Sequence, residues 1–178
     1  MKYGDSISPN TINTLSEFQL FSNMGPDKIA DLCTDGLICE HKHRECLFSE
    51  DTPADKFGIV LSGAYKLSKL NELGDESVIY FSTIGDVLGA LVMAQPNPKY
   101  PVTVRAMGPS KVLLVSQKVY LEKWIKEPDL ITRIHGLLSS RMSRFQKLRT
   151  MQRAPLSSRL ASLLLELAVD KGQGEIPL

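Results

Sequence analysis

The chain of 178 residues has 43% hydrophobic and 23% charged residues and a formal net charge of +1, which describes an ordinary soluble globular protein of one domain, or one domain with an appendage. A net charge this close to zero gives no overall field toward nucleic acid or a membrane surface. No run of about eighteen apolar residues occurs, and the first ten residues lack the apolar core of a signal peptide, so a cytoplasmic protein is predicted.

Short helices are predicted before the first strand. Residues 1–10 have no clear hydrophobic pattern and are predicted to be a disordered lead. A helix-like apolar spacing follows, carried by Ile12, Leu15, Phe18, Leu20 and Phe21. Pro26 then begins a second helix, because the N–H that proline lacks would be unpaired in the first turn anyway.

From Leu37 the hydrophobic period changes to two, which indicates β-strands. The predicted strands are 37–40, 46–48, 57–61, 64–70, 77–81, 101–107 and 111–115. Ser62-Gly63 and Gly108-Pro109-Ser110 have turn composition, and residues 71–76 read as a hairpin loop. About eight short strands closed by glycine turns are typical of a jelly-roll-like double sheet or a barrel.

The longest predicted element is a helix over residues 127–154, preceded by a shorter helix at 117–126. Pro128 and Asp129 suit a helix start, and no further proline occurs until Pro155. About 26 helical residues would be roughly 39 Å long, which is longer than a compact domain of this size needs. After Pro155 an apolar helix is predicted, which Gly172 ends.

The long helix has apolar residues at alternating spacings of three and four, which favours packing against a second helix. The predicted dimer interface consists of Ile131, Ile134, Leu138, Arg141, Phe145 and Leu148. The alternative is a long core helix that lies on its own domain. Self-association is favoured, because the cations Arg144, Lys147, Arg149 and Arg153 crowd its second half and make full burial costly. Arg141 either extends outward over its own stem or contacts an anion at the dimer axis or pocket mouth.

Taken in order, these elements resemble the Crp/Fnr family of bacterial transcription regulators, from about residue 15 to the end of the sequence. The phrases that carry the resemblance are 57–64 (FGIVLSGA), 85–89 (GDVLG), 104–106 (VRA) and 158–161 (SRLA). The resemblance implies an α+β fold, in which a cyclic-nucleotide-binding-type β-roll, or double-stranded jelly roll, has short N-terminal helices and a long C-terminal dimerisation helix. The implied domains are a β-roll sensor at 11–126, the dimerisation helix at 127–154, and at 155–178 the first helix and start of a truncated DNA-binding domain.

The resemblance implies a regulator and not an enzyme. The expected function is effector sensing and dimerisation, as a homodimer, with DNA bound through a C-terminal winged helix-turn-helix domain absent from this chain. RNA polymerase is a further candidate partner, and no membrane is expected. An effector is expected to change the mutual arrangement of the two long helices.

In cyclic-nucleotide members of the family, a glutamate after the Gly-Asp-x-x-Gly corner binds the ribose and an arginine neutralises the phosphate. Here Ala90 stands at the glutamate position, and Tyr100-Pro101 replaces the arginine-serine pair. Phe145 and Gln146 stand where a cAMP sensor offers small hydroxyl residues to the adenine. A sensor that does not respond to cAMP is therefore predicted.

The predicted pocket is instead apolar and rich in methionine. Its candidate residues are Gly85, Leu88, Gly89, Ala90, Leu91, Met93, Tyr100, Leu138, Arg141, Met142, Phe145 and Gln146. Such a lining suits an apolar effector or a haem, for which His135, Met93, Met107 and Met142 are the candidate ligands. The alternative is a pocket that side chains fill and that senses nothing. A cyclic-nucleotide-binding module with an atypical pocket also stays open.

Metal-dependent alternatives rest on histidines and cysteines. The His41-Lys42-His43 phrase has the first part of a cupin metal site, but Glu45 comes early, Glu50 comes late and no later strand supplies a third histidine. The three cysteines, Cys33, Cys39 and Cys46, indicate reduced thiols, and a fourth ligand for an iron-sulfur cluster is absent. A thiol redox switch is the remaining cysteine hypothesis.

Overall fold

A computed structural model describes the backbone of residues 2–71 and 73–151 and the side chains of residues 7–71 and 73–139. Its helices are α1 (Pro9–Ser16), α2 (Pro26–Leu32), α3 (Gln117–Glu122) and α4 (Pro128–Met151), with short 3-10 helices at Gln19–Phe21, Ala90–Val92 and Trp124–Lys126. Its strands are β1 (Lys2–Ser6), β2 (Leu37–His41), β3 (Cys46–Phe48), β4 (Lys56–Ser62), β5 (Tyr65–Leu70), β6 (Glu76–Ser82), β7 (Val87–Leu88), β8 (Thr103–Ala106) and β9 (Ser110–Ser116). The helix predicted after Pro155 lies outside the described residues.

The strands form two antiparallel sheets, which confirms the predicted double sheet. The first has five strands in the order β1-β2-β9-β4-β7, and the second has four in the order β3-β8-β5-β6. Glycines at positive φ close the turns, as at Gly63 between β4 and β5, where a Cβ would lie 2.6 Å from the Pro109 carbonyl oxygen. No described helix is long and apolar enough to cross a membrane.

Residues 2–6, which were predicted to belong to a disordered lead, form strand β1. Its residues pair with β2 in the order Lys2–Glu40 and Tyr3–Cys39. The strand covers an edge of β2 whose backbone N–H and C=O groups would otherwise lack a partner in the sheet. The sequence KYGDS gives no hydrophobic alternation, so only the pairing partner reveals this strand.

Trp124 is the centre of the aromatic part of the core. Its side chain is fully buried, with its ring edge-on to Phe57 at a centroid distance of 4.6 Å and to Phe21 at 5.9 Å. Its indole Nε1–H donates to the carbonyl of Leu32 at 2.7 Å, at the end of α2. The residue therefore connects an N-terminal helix, strand β4 and the segment that leads into α4.

The first turns of α4 belong to the sensor unit. Residues 1–138 form one compact unit, and residues 139–151 belong to a second. Leu130 and Ile134 are buried in the core of the first unit, with exposed fractions of 0% and 3%. Ile134, a member of the predicted dimer interface, thus packs within its own chain, and the interface itself stays a prediction. The compact unit ends at residue 138, within α4, and the predicted domain boundary at residue 126 stays a prediction.

Candidate effector pocket

The corner at residues 85–89 has the geometry that its glycines require. Gly85 and Gly89 have φ angles of +82° and +80°, a region that L-residues with a side chain rarely adopt. The Asp86 carboxylate accepts the backbone N–H of Thr83 at 2.9 Å. Backbone hydrogen bonds between Val60 and the corner then attach it to β4. The corner is a rigid turn that leads directly into the 3-10 helix Ala90–Val92.

Ala90, at the position of the family glutamate, is buried with an exposed fraction of 3%. Its methyl group offers neither charge nor a hydrogen bond. Met93 follows at the end of the 3-10 helix and is fully buried. Its backbone carbonyl accepts the Gln117 side-chain amide at 3.0 Å, which ties this loop to the start of α3. The loop is therefore held by apolar packing and backbone hydrogen bonds.

Tyr100, which the resemblance places opposite the family arginine, has its side chain in the core, with an exposed fraction of 5%. Its ring stacks on Phe48 with a centroid distance of 4.1 Å and an interplanar angle of 13°. Its hydroxyl donates to the carbonyl of Lys56 at 2.7 Å. A Cβ on Gly89 would lie 3.3 Å from the same ring, so the glycine also makes room for it. Sequence reasoning did not predict the contact with Phe48, because no local pattern links two residues so far apart in the chain.

The Tyr100 hydroxyl stays protonated. Burial raises the pKa of Tyr100 above its ordinary value near 10. A neutral donor already committed to a backbone carbonyl cannot neutralise a phosphate. The next residue, Pro101, has no backbone N–H to offer.

The other predicted pocket residues do not all line one interior space. Leu88 is buried and pairs with Gly58 between β7 and β4, whereas Leu91 is 58% exposed. Gly85 lies beside Phe18, and Leu138 is half-buried against the core. The side chains of Arg141, Met142, Phe145 and Gln146, and of the interface residue Leu148, lie outside the described part of the chain, so their roles stay predictions.

The described haem-ligand candidates lie on three separate elements. Met93 is packed in the core, His135 is exposed on α4, and Met107 is 42% exposed after β8. The backbone N–H of Met107 donates to the carbonyl of Ala64, and its carbonyl lies 2.6 Å from Nδ1 of His43. Met107 is thus held by the residue before β5 and by the turn after β2. These three side chains therefore differ in burial, Met142 lies outside the described side chains, and haem ligation stays a prediction.

The two histidines of the cupin-like phrase have separate partners. His41 is 3% exposed and its Nδ1 lies 3.1 Å from the Tyr65 hydroxyl. His43 is exposed, and its Nδ1 lies 2.6 Å from the carbonyl of Met107. The two imidazoles therefore do not form a shared metal site, which removes the basis of the cupin alternative.

The buried His41 makes folding sensitive to pH. Burial lowers the pKa of His41 below its ordinary value of 6.5, and the Glu45 carboxylate opposes this only in part. The folded chain thus binds the proton less tightly than the unfolded chain, so this contribution to stability is present above about pH 6.5 and is lost as the pH falls through the folded-state pKa. Among the described residues, His41 Nε2 has no hydrogen-bond partner.

Urea unfolding at a series of pH values checks this expectation. The midpoint of the wild-type chain should fall between about pH 7 and pH 5 more steeply than that of His41→Gln. His43→Gln makes the same substitution at an exposed histidine and serves as the matched control. Equal slopes for the wild-type chain and His41→Gln would contradict the assignment, whatever the absolute stability of the variant.

The cysteines lie on three different elements. Cys33 ends α2, Cys39 is in β2 and Cys46 is in β3, and the described residues include no group of three or more His, Cys, Asp or Glu side chains that could hold a metal ion. Burial raises the pKa of Cys33 to about 12, so its thiol stays protonated. Its burial and raised pKa make Cys33 a poor candidate for the redox switch.

A basic groove on the second sheet escaped sequence reasoning. Its cations are spread along the chain, at Arg44, Lys66, Lys69 and Arg105, and no local charge run signals them. The pairing of β5 with β8 brings Lys66 and Lys69 beside Arg105, and the turn before β3 adds Arg44.

Sequence comparison agrees with this architecture. A family model of the cyclic nucleotide-binding domain matches residues 39–126. The CRP-like cAMP-activated global transcriptional regulator of Mycobacterium tuberculosis is 26% identical over 164 residues, covering 90% of this chain and 72% of that protein. The global nitrogen regulator of Synechocystis sp. is 30% identical over 131 residues, covering 71% of this chain and 57% of that protein.

Solved structures have the same fold. The sensor domain of the transcriptional regulator DNR from Pseudomonas aeruginosa matches with a TM-score of 0.62 and 22% identity, covering 81% of this chain and 95% of that one. FixK2 from Bradyrhizobium japonicum matches with a TM-score of 0.62 and 20% identity, covering 76% and 67%. The predicted α+β β-roll is thereby confirmed. The glycine corner, the order of the strands and the sequence relatives all agree, and the chain belongs to the Crp/Fnr family of transcription regulators.

Proposed function

We propose that this chain is the effector-sensing and dimerisation region of a DNA-binding transcription regulator whose effector is not cAMP. It works as a cytoplasmic homodimer, and DNA is bound by a further domain of the regulator. The single observation that carries the effector part is Tyr100, stacked on Phe48 and bonded to the Lys56 carbonyl where cyclic-nucleotide sensors place the phosphate arginine.

A cyclic phosphate carries a full negative charge, which is costly to bury without a cation or several N–H donors. In the loop that holds the phosphate in those sensors, Ala90 has no polar side-chain atom and Pro101 has no N–H. Met93 and Tyr100 are both buried there and both uncharged. This composition supports an uncharged, largely apolar effector.

Family membership by itself does not choose the effector. One relative is described as cAMP-activated and another as a nitrogen regulator, and both are about equally similar to this chain. The choice therefore rests on the local chemistry at Ala90 and Tyr100. We favour an uncharged organic effector over haem, because the candidate ligand Met93 is packed in the core, whereas His135 and Met107 are exposed on other elements.

Titration with cAMP tests the proposed effector class. We expect cAMP at about 1 mM to leave the thermal midpoint of the purified chain unchanged, whereas a ligand at a thousandfold excess over its Kd would add about 4 kcal/mol to the free energy of unfolding. The Mycobacterium tuberculosis relative serves as the positive control. Saturable cAMP binding by this chain in equilibrium dialysis would overturn the proposal.

Sedimentation equilibrium tests the dimer. The chain should be dimeric at tens of micromolar, and Leu148→Glu should weaken the dimer about a hundredfold, or about 2.7 kcal/mol, because it places a charge in the apolar seam. Lys147→Glu is the matched control, since it changes charge at the neighbouring position outside the seam. A monomeric wild-type chain, or equal dissociation by both variants, would contradict the predicted interface.

A further inference from the structure

A groove lies on the four-stranded sheet, separate from the candidate effector pocket. Its volume is about 530 Å³. The guanidinium of Arg44 comes from the turn between β2 and β3, the amines of Lys66 and Lys69 come from β5, and the guanidinium of Arg105 comes from β8. Glu76 of β6 is the one carboxylate in this lining among the described residues, and Glu50, outside the lining, pairs with Lys69 at 3.1 Å. The four cations against these two carboxylates leave an excess of two positive charges.

The register of the strands places this groove on the outer face of the sheet. Lys66 lies directly opposite Arg105 in the β5–β8 pair. The flanking residues on these strands, Tyr65 and Val104, are buried in the core with exposed fractions of 0% and 3%. Because side chains alternate between the faces of a strand, Lys66 and Arg105 face away from the core. The groove is therefore independent of the pocket in which Tyr100 lies.

The charges in the groove are incompletely compensated. Lys66 and Arg105 lie directly opposite each other in the sheet. Like charges in this arrangement are destabilising. Glu76 relieves only part of this, since its two oxygens accept from Lys66 Nζ and Ser68 Oγ, both at 2.6 Å. Lys69 pairs with Glu50 at 3.1 Å, whereas Arg44 and Arg105 form no close ion pair within the part of the chain that the structure describes, although the Glu76 carboxylate also attracts Arg105.

Thr103 adds a neutral donor to the lining. Its Oγ1 accepts the backbone N–H of Glu50 at 3.1 Å, so its hydroxyl hydrogen is available to a ligand. The described lining contains no aromatic side chain on which a base could stack. Recognition would therefore rest on hydrogen bonds and charge.

We propose that this groove binds a small molecule that carries two or more phosphate groups. Arginine guanidinium groups bind phosphate oxygens through paired N–H donors, and the two in this lining form no close ion pair with a described carboxylate. A bound polyanion would compensate the two positive charges of Lys66 and Arg105, which repel each other. The volume lies within the range of small-molecule sites, which favours such a ligand over an acidic protein segment.

Calorimetric titration of the full chain with inorganic triphosphate tests the site. We expect saturable binding at one site per chain that weakens as salt is added. Arg105→Ala and Arg44→Ala should each lower the affinity about tenfold. Lys118→Ala, which removes an exposed cation on α3 outside the lining, should leave it unchanged.

The stability of Arg105→Ala separates a binding role from a structural one. Because the substitution removes a like-charge contact, the urea midpoint without triphosphate should stay equal or rise. Absence of triphosphate binding at low salt would overturn the proposal, as would equal losses in Arg105→Ala and Lys118→Ala. Tighter binding of a polyglutamate peptide than of triphosphate would also overturn it, in favour of an acidic protein partner.

Discussion

Tyr100→Arg is expected to lower the free energy of unfolding by about 3 kcal/mol and not to create a cAMP site. The substitution removes a ring with an exposed fraction of 5% that stacks on Phe48, and it leaves the Lys56 carbonyl without its donor. It also places a charged guanidinium at a position that is only 5% exposed. The urea midpoint and cAMP dialysis measure the two effects on the same variant.

Tyr100→Phe is the matched control for the stacked ring. It keeps the contact with Phe48 and removes only the hydroxyl, so the loss should be about 1 kcal/mol. A Tyr100→Arg chain that is as stable as wild type and binds cAMP would show that the loop accepts an arginine and would contradict the proposed reason for cAMP exclusion.

Trp124→Ala is expected to lower the free energy of unfolding by about 4 kcal/mol, the largest loss we expect for a single substitution. The indole is fully buried and contacts Phe21 and Phe57 edge-on. Its removal would leave a large cavity and an unpaired carbonyl at Leu32. Equilibrium urea unfolding, followed by far-ultraviolet circular dichroism, measures the effect without relying on tryptophan fluorescence.

Two further substitutions serve as comparisons for the loss of stability expected in Trp124→Ala. Trp124→Phe keeps an aromatic ring but loses the N–H donor, so an intermediate loss of about 2 kcal/mol is expected. Ile125→Ala changes the neighbouring residue, which is 46% exposed, and should cost at most about 0.5 kcal/mol. If Trp124→Ala unfolded at the same urea concentration as Ile125→Ala, the described packing around the indole would be wrong.

The sequence alone predicts features that depend on the residue type at a single position, such as a glycine at a turn or a missing charged side chain. Gly85 and Gly89 stand at a corner that needs positive φ, and both adopt it. The hydrophobic period of two and the glycine turns predicted the strands, and the structure contains the predicted double sheet. The lack of a glutamate at Ala90 and of an arginine at Tyr100 is likewise a local chemical fact. These features supported the family assignment and the expectation about cAMP before any contact was known.

Long-range packing decided the rest. The sequence alone determined which groups are absent from the phosphate loop, but only the tertiary structure directs Tyr100 onto Phe48 and buries Ile134 within its own unit. Strand register likewise pairs Lys66 with Arg105 and so assembles the basic groove. The physical reason is that local periodicity fixes which residues share a face, whereas the neighbour of that face is set by contacts between segments far apart in the chain.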